Sequence, residues 1–296
     1  MTIFQTLKLA TAKLSAKSFD SPRLETEILL SHVLKKPCEF LLAHGEKKLS
    51  SSQISSFKLL ISKRLNGEPA AHLIGHKEFY GLDFIVNKNV LIPRPETELM
   101  VEEALKLVAH NSQLATLIDV GTGSGCIIIT LAKLFNESRI TNHELWGIDI
   151  SAGALAVASK NAKTHHVYKK IKFLKGNLLT PIINDSKFLL LNSYLIVLAN
   201  LPYLTPKQIK NSPTIKHEPK SALAGGPDGL KYYRQLFRQI RDYITPLCVT
   251  CYALCEIDPG HTKKIKQLVK HELPQATCQI KKDLSGLDRL VIMKIV

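Results

Sequence analysis

Three features of the sequence predict an α/β fold preceded by a helical domain. Up to about residue 75, apolar residues recur at the spacing of amphipathic helices. Between residues 78 and 92 the spacing changes to that of short strands. From residue 116 onward, apolar runs typical of strands alternate with helical runs of ten or more residues. Such alternation is characteristic of right-handed βαβ units and a parallel sheet.

The N-terminal 77 residues are predicted to form a small helical bundle. One amphipathic run begins after Ser21-Pro22, an N-cap and first-turn pair, and a second spans residues 50–64 after a start rich in serine. Residues 78–92 follow as a predicted β-hairpin linker, in which an aromatic and β-branched strand ends in a turn at residues 87–89. We expect domain boundaries at 1–77, 78–92 and 93–296.

The C-terminal domain is predicted to contain at least six strands. After the proline-rich segment 93–98, which opens a helix, the strands are expected at 116–120, 144–150, 171–178, 194–200, 251–257 and 287–296. Helices are expected at 126–135, 152–165 and 261–271. No internal repeat interrupts this order.

Composition indicates an intracellular globular protein. The chain has 296 residues, a formal net charge of +15 and 45% hydrophobic residues, and no apolar run reaches the ~18 residues of a membrane helix. Its N-terminus lacks the apolar core of a secretory signal, so we expect a cytoplasmic protein with reduced cysteines. The spacing of Cys248, Cys251 and Cys255 lacks the paired knuckles of a zinc site, so no metal is expected.

The positive charge raises the question of a nucleic-acid partner. Residues 1–110 hold 15 basic and 12 acidic residues, and the rest of the chain holds 25 and 13. Only eight of the 40 basic residues are arginine, whereas proteins that read bases and phosphates also use arginine forks. The excess therefore favours a general composition bias, and a polyanionic partner such as ribosome-bound RNA or an acidic protein face is left open.

A glycine-rich turn after the first strand of the C-terminal domain predicts a cofactor site. Gly121, Gly123 and Gly125 follow a strand and begin a helix, where backbone can approach a ligand and helix amides donate hydrogen bonds. Asp119 precedes the first glycine by two residues, a spacing typical of S-adenosylmethionine sites, in which the acid faces the methionine ammonium. Dinucleotide enzymes place a related G-x-G-x-x-G here, so a dinucleotide remains an alternative.

Two further strand ends supply polar side chains to the same edge. Asp149 ends the second strand, where a carboxylate can accept hydrogen bonds from both hydroxyls of a ribose. Asn177 follows the third strand, at the position where this class of site usually has an aspartate for the adenine amino group. It keeps an acceptor oxygen without the charge.

The fourth strand leads into Asn200-Leu201-Pro202-Tyr203, which resembles the Asn-Pro-Pro-Tyr signature of methyltransferases that act on planar nitrogens. The Asn200 side-chain oxygen and the Leu201 carbonyl can accept hydrogens from an NH₂ group and aim its nitrogen at a methyl donor. Pro202 stiffens the turn, and Tyr203 offers a face for stacking. The tetrapeptide Asn-Leu-Pro-Tyr also occurs in rRNA adenine dimethyltransferases, so Leu201 makes the motif compatible with two substrate classes.

The order of motifs over nearly the whole chain resembles the protein-(glutamine-N5) methyltransferases of peptide-chain release factors, the PrmC/HemK family. The segments that carry the resemblance are residues 23–30, 67–81, 90–98, 119–125, 200–203, 218–219 and 222–234. The resemblance implies a Rossmann-like S-adenosylmethionine-dependent methyltransferase domain with a small N-terminal helical bundle and a β-hairpin linker. This chain departs from the family after Glu256-Ile257, where Asp258-Pro259 stands in place of the usual glycine and glutamine.

The resemblance also implies a reaction and the residues that perform it. The reaction is methylation of the side-chain amide in the Gly-Gly-Gln motif of class 1 release factors, with S-adenosylhomocysteine as the product. The expected cofactor residues are Asp119, Gly121, Thr122, Gly123, Ser124, Gly125, Asp149, Ile150, Asn177, Leu178 and Asn200. The expected catalytic and substrate residues are Asn200, Leu201, Pro202 and Tyr203, with Arg94 added for substrate binding.

Two alternatives remain at this point. One is an N6-adenine methyltransferase of rRNA or DNA, which Leu201 and the net charge favour and the N-terminal helices oppose. The other is a factor that binds S-adenosylmethionine and docks on release factors or ribosomes without methyl transfer. If the chain is a release factor methyltransferase, we expect a monomer whose partners are class 1 release factors. We expect no membrane association and no direct nucleic-acid binding.

Overall fold

The computed structural model describes residues 1–17, 19, 21–110, 115–138, 143–183, 194–244 and 250–295, and these divide into two units. The first unit comprises Met1–His76 with Pro213–His217, and the second comprises Lys77–Ser212 with Glu218–Val296. Within the described ranges no helix is both long and apolar enough to cross a membrane.

Helices build the first unit. Over its described residues they are α1 (Ile3–Ser15), α2 (Pro22–Leu34), α3 (Cys38–Ala43), α4 (Ser51–Leu65) and α5 (Ala70–Ile74), with a 3₁₀ helix at Pro213–His217. Capping boxes start two of them, because Thr2 pairs with Gln5 and Ser50 pairs with Gln53. Their apolar faces meet in a core that includes Ile3, Leu14, Leu29, Leu30, Leu41, Phe57 and Ile61.

A buried ion pair joins α2 to α4. The Arg64 guanidinium donates to both carboxylate oxygens of Glu25, at 2.7 and 2.9 Å, and its Cζ lies 3.8 Å from the centroid of the Phe19 ring. Arg64 is only 6% exposed, so its charge depends on Glu25 for compensation. On the same helix α2, Glu27 pairs instead with Arg23, whose side chain is 76% exposed.

A β-hairpin follows at the start of the second unit. Strands β1 (His76–Phe79) and β2 (Leu82–Ile85) form a two-stranded sheet around a two-residue turn at Tyr80-Gly81, where both residues have positive φ. The turn expected at residues 87–89 is present, because the Val90 amide donates to the Asn87 carbonyl at 3.1 Å, but it is not the hairpin turn, since Val90–Ile92 forms no strand. Side chains hold the observed turn, because Glu98 accepts a hydrogen bond from the Tyr80 amide and Glu78 accepts one from the Gly81 amide.

The second unit is built on a seven-stranded sheet. Its strands are β3 (Ala115–Val120), β4 (Glu144–Asp149), β5 (Ile171–Lys175), β6 (Tyr194–Ala199), β7 (Thr250–Glu256), β8 (Thr277–Lys282) and β9 (Asp288–Ile295). Their order is β5-β4-β3-β6-β7-β9-β8, with the first five parallel and β9 antiparallel to both neighbours. The predicted Rossmann-like class is confirmed; β8 escaped prediction because it is a largely exposed edge strand.

Helices cover both faces of this sheet. They are α6 (Glu98–Ala109), α7 (Cys126–Glu137), α8 (Ala152–Thr164), α9 (Thr180–Ile183), α10 (Pro206–Asn211), α11 (Lys231–Gln239) and α12 (Thr262–Glu272). Shorter 3₁₀ turns lie at Pro95–Thr97, Tyr168–Lys170, Lys220–Ala222 and Pro259–His261, and a π-helical turn lies at Ile240–Ile244. Because strand side chains alternate between faces, Ile118 and Val120 pack in one core while Ala115 and Leu117 pack in the other.

We expect Glu25→Gln to destabilise α2 and α4 by about 2–4 kcal/mol, because it leaves the buried Arg64 guanidinium without an anion. Amide hydrogen exchange of the two helices measures the effect as a free energy of local opening. Glu27→Gln is the matched control in the same helix, and its expected effect is below about 1 kcal/mol since its partner is exposed. Equal effects of the two changes would contradict the assignment.

Candidate functional site

A pocket of the second unit lies where the strand order reverses. The chain runs from β3 outward through β4 and β5, then returns to place β6 on the other side of β3. In open α/β sheets such a reversal opens a crevice at the carboxyl ends of the strands. Among the residues that line it are Pro93, Arg94, Thr97, Gly121, Thr122, Gly123, Ser124, Asp149, Ile150, Asn177, Leu178, Asn200, Leu201, Pro202, Ser221 and Tyr232.

The glycine-rich turn forms one wall of the pocket. Gly121, Gly123 and Gly125 all adopt positive φ, between 54° and 82°. A Cβ on Gly125 would lie 2.6 Å from Ile129 Cδ1, so glycine lets α7 begin directly behind the turn. The turn is tied to β4, because the amides of Gly121 and Thr122 both donate to the Ile148 carbonyl, at 2.8 and 2.9 Å.

Asp149 closes the next wall at the end of β4. Its two carboxylate oxygens accept from the amides of Gly123, at 2.9 Å, and Ser151, at 2.8 Å. Burial raises its pKa, and these amides oppose the rise. Each oxygen keeps a further lone pair, so the carboxylate can still accept from a diol in the pocket.

Asp119 lies behind the turn and is absent from the pocket lining. Its Oδ2 accepts from the Thr122 hydroxyl at 2.7 Å, while Oδ1 is buried without a hydrogen-bond partner among the described residues. Burial raises the pKa of Asp119 to about 7, with a smaller contribution from the Asp149 charge and an opposing one from Thr122. The unpartnered oxygen places a buried negative charge behind the pocket wall, which favours a cationic ammonium group in the pocket and so fits S-adenosylmethionine.

Asn200 begins the opposite wall, directly after β6. Its amide nitrogen donates to the Thr97 hydroxyl oxygen at 3.1 Å, and that hydroxyl donates to Glu256 Oε2 at 2.6 Å. Glu256 ends β7 and is 2% exposed. Since Nδ2 is bound to Thr97, Oδ1 is the atom of Asn200 that is left to accept from a ligand.

The backbone after Asn200 is fixed from behind. The buried Tyr233 hydroxyl lies 3.1 Å from the Leu201 carbonyl oxygen and closer to the Glu256 carbonyl oxygen, and its single hydrogen can be donated to either. One lone pair of the Leu201 carbonyl therefore has a protein partner, and the second stays available. The Leu201 side chain is 3% exposed and packs against Gly121, where a Cβ would lie 3.3 Å from Leu201 Cδ2.

Tyr203 does not line the pocket. Its ring packs against the core cluster, and its hydroxyl donates to Glu256 Oε1 at 3.4 Å. Two glycines leave room for this segment, because a Cβ on Gly225 would lie 2.6 Å from the Pro202 carbonyl oxygen and one on Gly229 would lie 2.4 Å from the Tyr203 carbonyl oxygen. The loop that contains these glycines thus packs on the backbone of the Asn200–Tyr203 segment.

Arg94 lines the pocket from the segment before α6. Its Nη2 donates to Glu218 Oε1 at 2.6 Å, and Glu218 Oε2 accepts from the Ile92 amide at 3.0 Å. Glu218 is 5% exposed, so a buried carboxylate fixes both the backbone and the side chain of this segment. The same segment continues into Thr97.

The pocket unites most of the residues predicted from the sequence. Those on its lining are Arg94, Gly121, Thr122, Gly123, Ser124, Asp149, Ile150, Asn177, Leu178, Asn200, Leu201 and Pro202. Asp119, Gly125 and Tyr203 lie outside the lining. Leu178 reaches it through a left-handed backbone, with φ of 52°.

Sequence reasoning missed three contributors: Thr97, Glu256 and Tyr233. A signal existed for Glu256, which is the one charged residue at the carboxyl end of an otherwise apolar strand. The sequence predicts only the start of a helix around Thr97. Tyr233 belongs to a segment that carried the family resemblance, with no role in the site assigned to it. Only the fold shows that these residues meet Asn200 and Leu201.

The cysteines give no sign of a metal centre in the described residues. Cys251 and Cys255 are buried in β7, and burial raises the pKa of the Cys251 thiol to about 12. Cys248 lies outside the described residues. In the described ranges no group of three or more His, Cys, Asp and Glu side chains is arranged to hold a metal ion.

Comparison with known proteins decides the family. Residues 5–75 match the model of the PrmC N-terminal domain, and residues 110–287 match a methyltransferase domain. The release factor glutamine methyltransferase of Bacillus anthracis is 34% identical over 299 residues, covering 100% of both chains. This chain belongs to the release factor glutamine methyltransferases. The Geobacter sulfurreducens member is 32% identical over 98% of this chain and 95% of its own.

Membership in the release factor glutamine methyltransferases confirms the predicted enzyme class and the predicted cofactor, S-adenosylmethionine. Solved structures agree on the fold. The human METTL16 catalytic domain, solved with a MAT2A 3′UTR hairpin, matches 90% of each chain with a TM-score of 0.56 and 12% identity. At that identity, the likeness concerns the fold alone.

We expect affinity for S-adenosylhomocysteine, which carries the same ammonium group, to fall as pH decreases below 7. Asp119 has a pKa of about 7 when the ammonium is absent, and a cation beside it favours the ionised form, so protonation competes with binding. The limiting slope is about tenfold per pH unit, measured by calorimetric titration between pH 5.5 and 8.5.

Asp119→Asn tests the origin of that slope. It should weaken binding and flatten the pH dependence, whereas Asp149→Asn should weaken binding and keep a slope. A wild-type slope in Asp119→Asn would show that another group titrates.

Proposed function

We propose that this chain transfers a methyl group from S-adenosylmethionine to the side-chain amide nitrogen of the glutamine in the Gly-Gly-Gln motif of class 1 release factors. The proposal rests mainly on the hydrogen bonding of the Asn200 side-chain amide. Its amide nitrogen is held by Thr97, beside a pocket that also contains the glycine-rich turn. The acceptor oxygen is thereby left for a substrate NH₂ group.

The chemistry explains why two acceptors are needed. An amide nitrogen is a poor nucleophile because its lone pair is delocalised into the carbonyl group. Asn200 Oδ1 and the free lone pair of the Leu201 carbonyl would accept the two hydrogens of the glutamine NH₂ group and direct its lone pair toward the cofactor. S-adenosylmethionine supplies the electrophilic methyl group.

These acceptors would stabilise the transition state more than the ground state. As the nitrogen becomes pyramidal and gains positive charge, its hydrogens become stronger donors to Asn200 and Leu201. Both acceptors are fixed before the reaction, by Thr97 and Tyr233 respectively, so little reorganisation is needed. The nitrogen can release its proton after transfer, so no general base is required beforehand.

The other domains and two further pocket residues would assist the reaction. Residues 1–77 would bind the release factor away from the chemistry, with 78–92 as the linker and 93–296 as the catalytic domain. Arg94 lines the pocket and would contact the substrate segment, and Pro202 would restrict its position. We further propose a cytoplasmic monomer, since its substrates act in translation.

The competing substrate class is an adenine base of nucleic acid, since the N6 amino group is also a planar nitrogen. The structures with a similar fold include an RNA complex of human METTL16. RNA is therefore a necessary parallel substrate when methyl transfer is measured.

We expect label from S-adenosylmethionine to enter a class 1 release factor and to be absent from its Gln→Ala variant in the Gly-Gly-Gln motif. Mass spectrometry of the tryptic peptide locates one added methyl group on that glutamine. Purified rRNA serves as the parallel substrate. Label in RNA, or equal label in the Gln→Ala variant, would contradict the proposal, and absence of all label would favour a non-catalytic factor.

Asn200→Ala is expected to reduce kcat by about 10²–10³-fold, the effect typical of removing one fixed hydrogen-bond partner from a transition state. Binding of S-adenosylhomocysteine, measured by calorimetry, should change far less than kcat. A variant that loses cofactor affinity and kcat in parallel would place Asn200 in cofactor binding instead.

A further inference from the structure

We infer that Glu256 is a positioning residue: acting through the Thr97 hydroxyl, it determines which end of the Asn200 amide faces the substrate glutamine. The inference deepens the proposed function and rests on it. It concerns two residues that do not belong to the Asn200–Tyr203 motif and that come from distant parts of the chain, the turn before α6 and the end of β7.

The direction of each hydrogen bond follows from the chemistry of the groups. An ionised carboxylate only accepts, so the Thr97 hydroxyl must donate its single hydrogen to Glu256 Oε2, 2.6 Å away. The Thr97 oxygen can then only accept. Of the two ends of the Asn200 amide, only the NH₂ end donates, which matches the 3.1 Å contact from Nδ2. The hydrogen-bonded chain of Asn200, Thr97 and Glu256, called the relay below, therefore has one allowed sense: Asn200 donates to Thr97, and Thr97 donates to Glu256.

A defined sense is needed because the two amide orientations have nearly the same shape. In the allowed orientation, Oδ1 is presented to the hydrogens of the substrate NH₂ group. In the flipped orientation, the Asn200 NH₂ group would face the substrate NH₂ group, donor against donor. Packing alone gives these two orientations nearly equal free energies. The relay stabilises the allowed orientation, because only that orientation forms a hydrogen bond with Thr97.

The environment of Glu256 is consistent with a titratable relay. Burial raises its pKa to about 6, while the Thr97 hydroxyl, the Arg289 charge and the Tyr203 hydroxyl lower it. The groups that face it are Glu96 and Thr97 before α6, Cys126 on α7, Tyr203 after β6, Tyr233 on α11 and Arg289 on β9. Above about pH 6 the carboxylate accepts from Thr97; below it, a protonated Glu256 can donate and reverse the sense.

Thr97→Val gives the first test, because it removes the hydroxyl at nearly constant volume. We expect kcat to fall about 10–100-fold, the range for a misplaced catalytic contact, with little change in KM for the release factor and in affinity for S-adenosylhomocysteine. Thr97→Ser keeps the hydroxyl and should stay within about threefold of wild type.

The matched control is Thr116→Val in β3. Thr116 is fully buried, and its hydroxyl has no hydrogen-bond partner among the described residues, so kcat should be unchanged. If Thr97→Val and Thr116→Val have the same kcat, the inference is overturned. If Thr97→Val loses cofactor affinity in step with kcat, Thr97 is a cofactor ligand and the inference is likewise overturned.

Glu256→Gln gives the second test through the pH profile. The glutamine oxygen can accept from Thr97 but does not titrate, so kcat at pH 8 should stay within about tenfold of wild type. At saturating cofactor and release factor, the wild-type kcat should fall below about pH 6, and this decline should be absent in Glu256→Gln. An unchanged acidic decline overturns the inference. Failure of the wild-type enzyme to methylate the glutamine at any pH instead overturns the proposed function.

Discussion

The pairing of β3 with β6 is the constraint on which the whole site depends. Parallel register places Val120 opposite Ala199, so the two strands end at the same level. The residues that follow, Gly121 on one side and Asn200 on the other, therefore diverge from adjacent points into one crevice. Close packing of Leu201 against Gly121 maintains that contact. The glycine-rich turn and the Asn200–Tyr203 segment thus become neighbours through the main-chain pairing of β3 with β6 and through this side-chain packing.

Three buried carboxylates surround the pocket, and of these Asp149 lines it. Asp119, Asp149 and Glu256 end β3, β4 and β7 or lie one residue before the end, and burial raises the pKa of each. Asp119 and Glu256 each accept from a threonine hydroxyl, that of Thr122 and that of Thr97, whereas Asp149 accepts from backbone amides. Under the proposed function, Asp119 supplies an anion for an ammonium group, Asp149 an acceptor for a diol and Glu256 an anchor for the Asn200 amide.

Local pattern predicted much of this arrangement. The glycine spacing after β3 and the Asn200–Tyr203 segment after β6 each mark a strand end, and βαβ topology brings such ends together. The turn at Tyr80-Gly81 was not predicted because it needs a positive φ at a tyrosine. The edge strand β8 was not predicted because it is mostly exposed and lacks an apolar pattern. The contacts of Thr97 with Asn200 and of Tyr233 with Leu201 were not predicted because they span 103 and 32 residues, respectively, and only tertiary packing reveals them.

The most direct measurement of the central claim is a crystal structure of the enzyme with S-adenosylhomocysteine and a class 1 release factor. In that complex we expect Asn200 Oδ1 to lie within about 3.2 Å of the glutamine side-chain nitrogen while Nδ2 remains on Thr97. The glutamine nitrogen should face the cofactor sulfur. A glutamine that approaches Asn200 through its carbonyl oxygen, or that binds away from the Asn200–Tyr203 segment, would contradict the central claim.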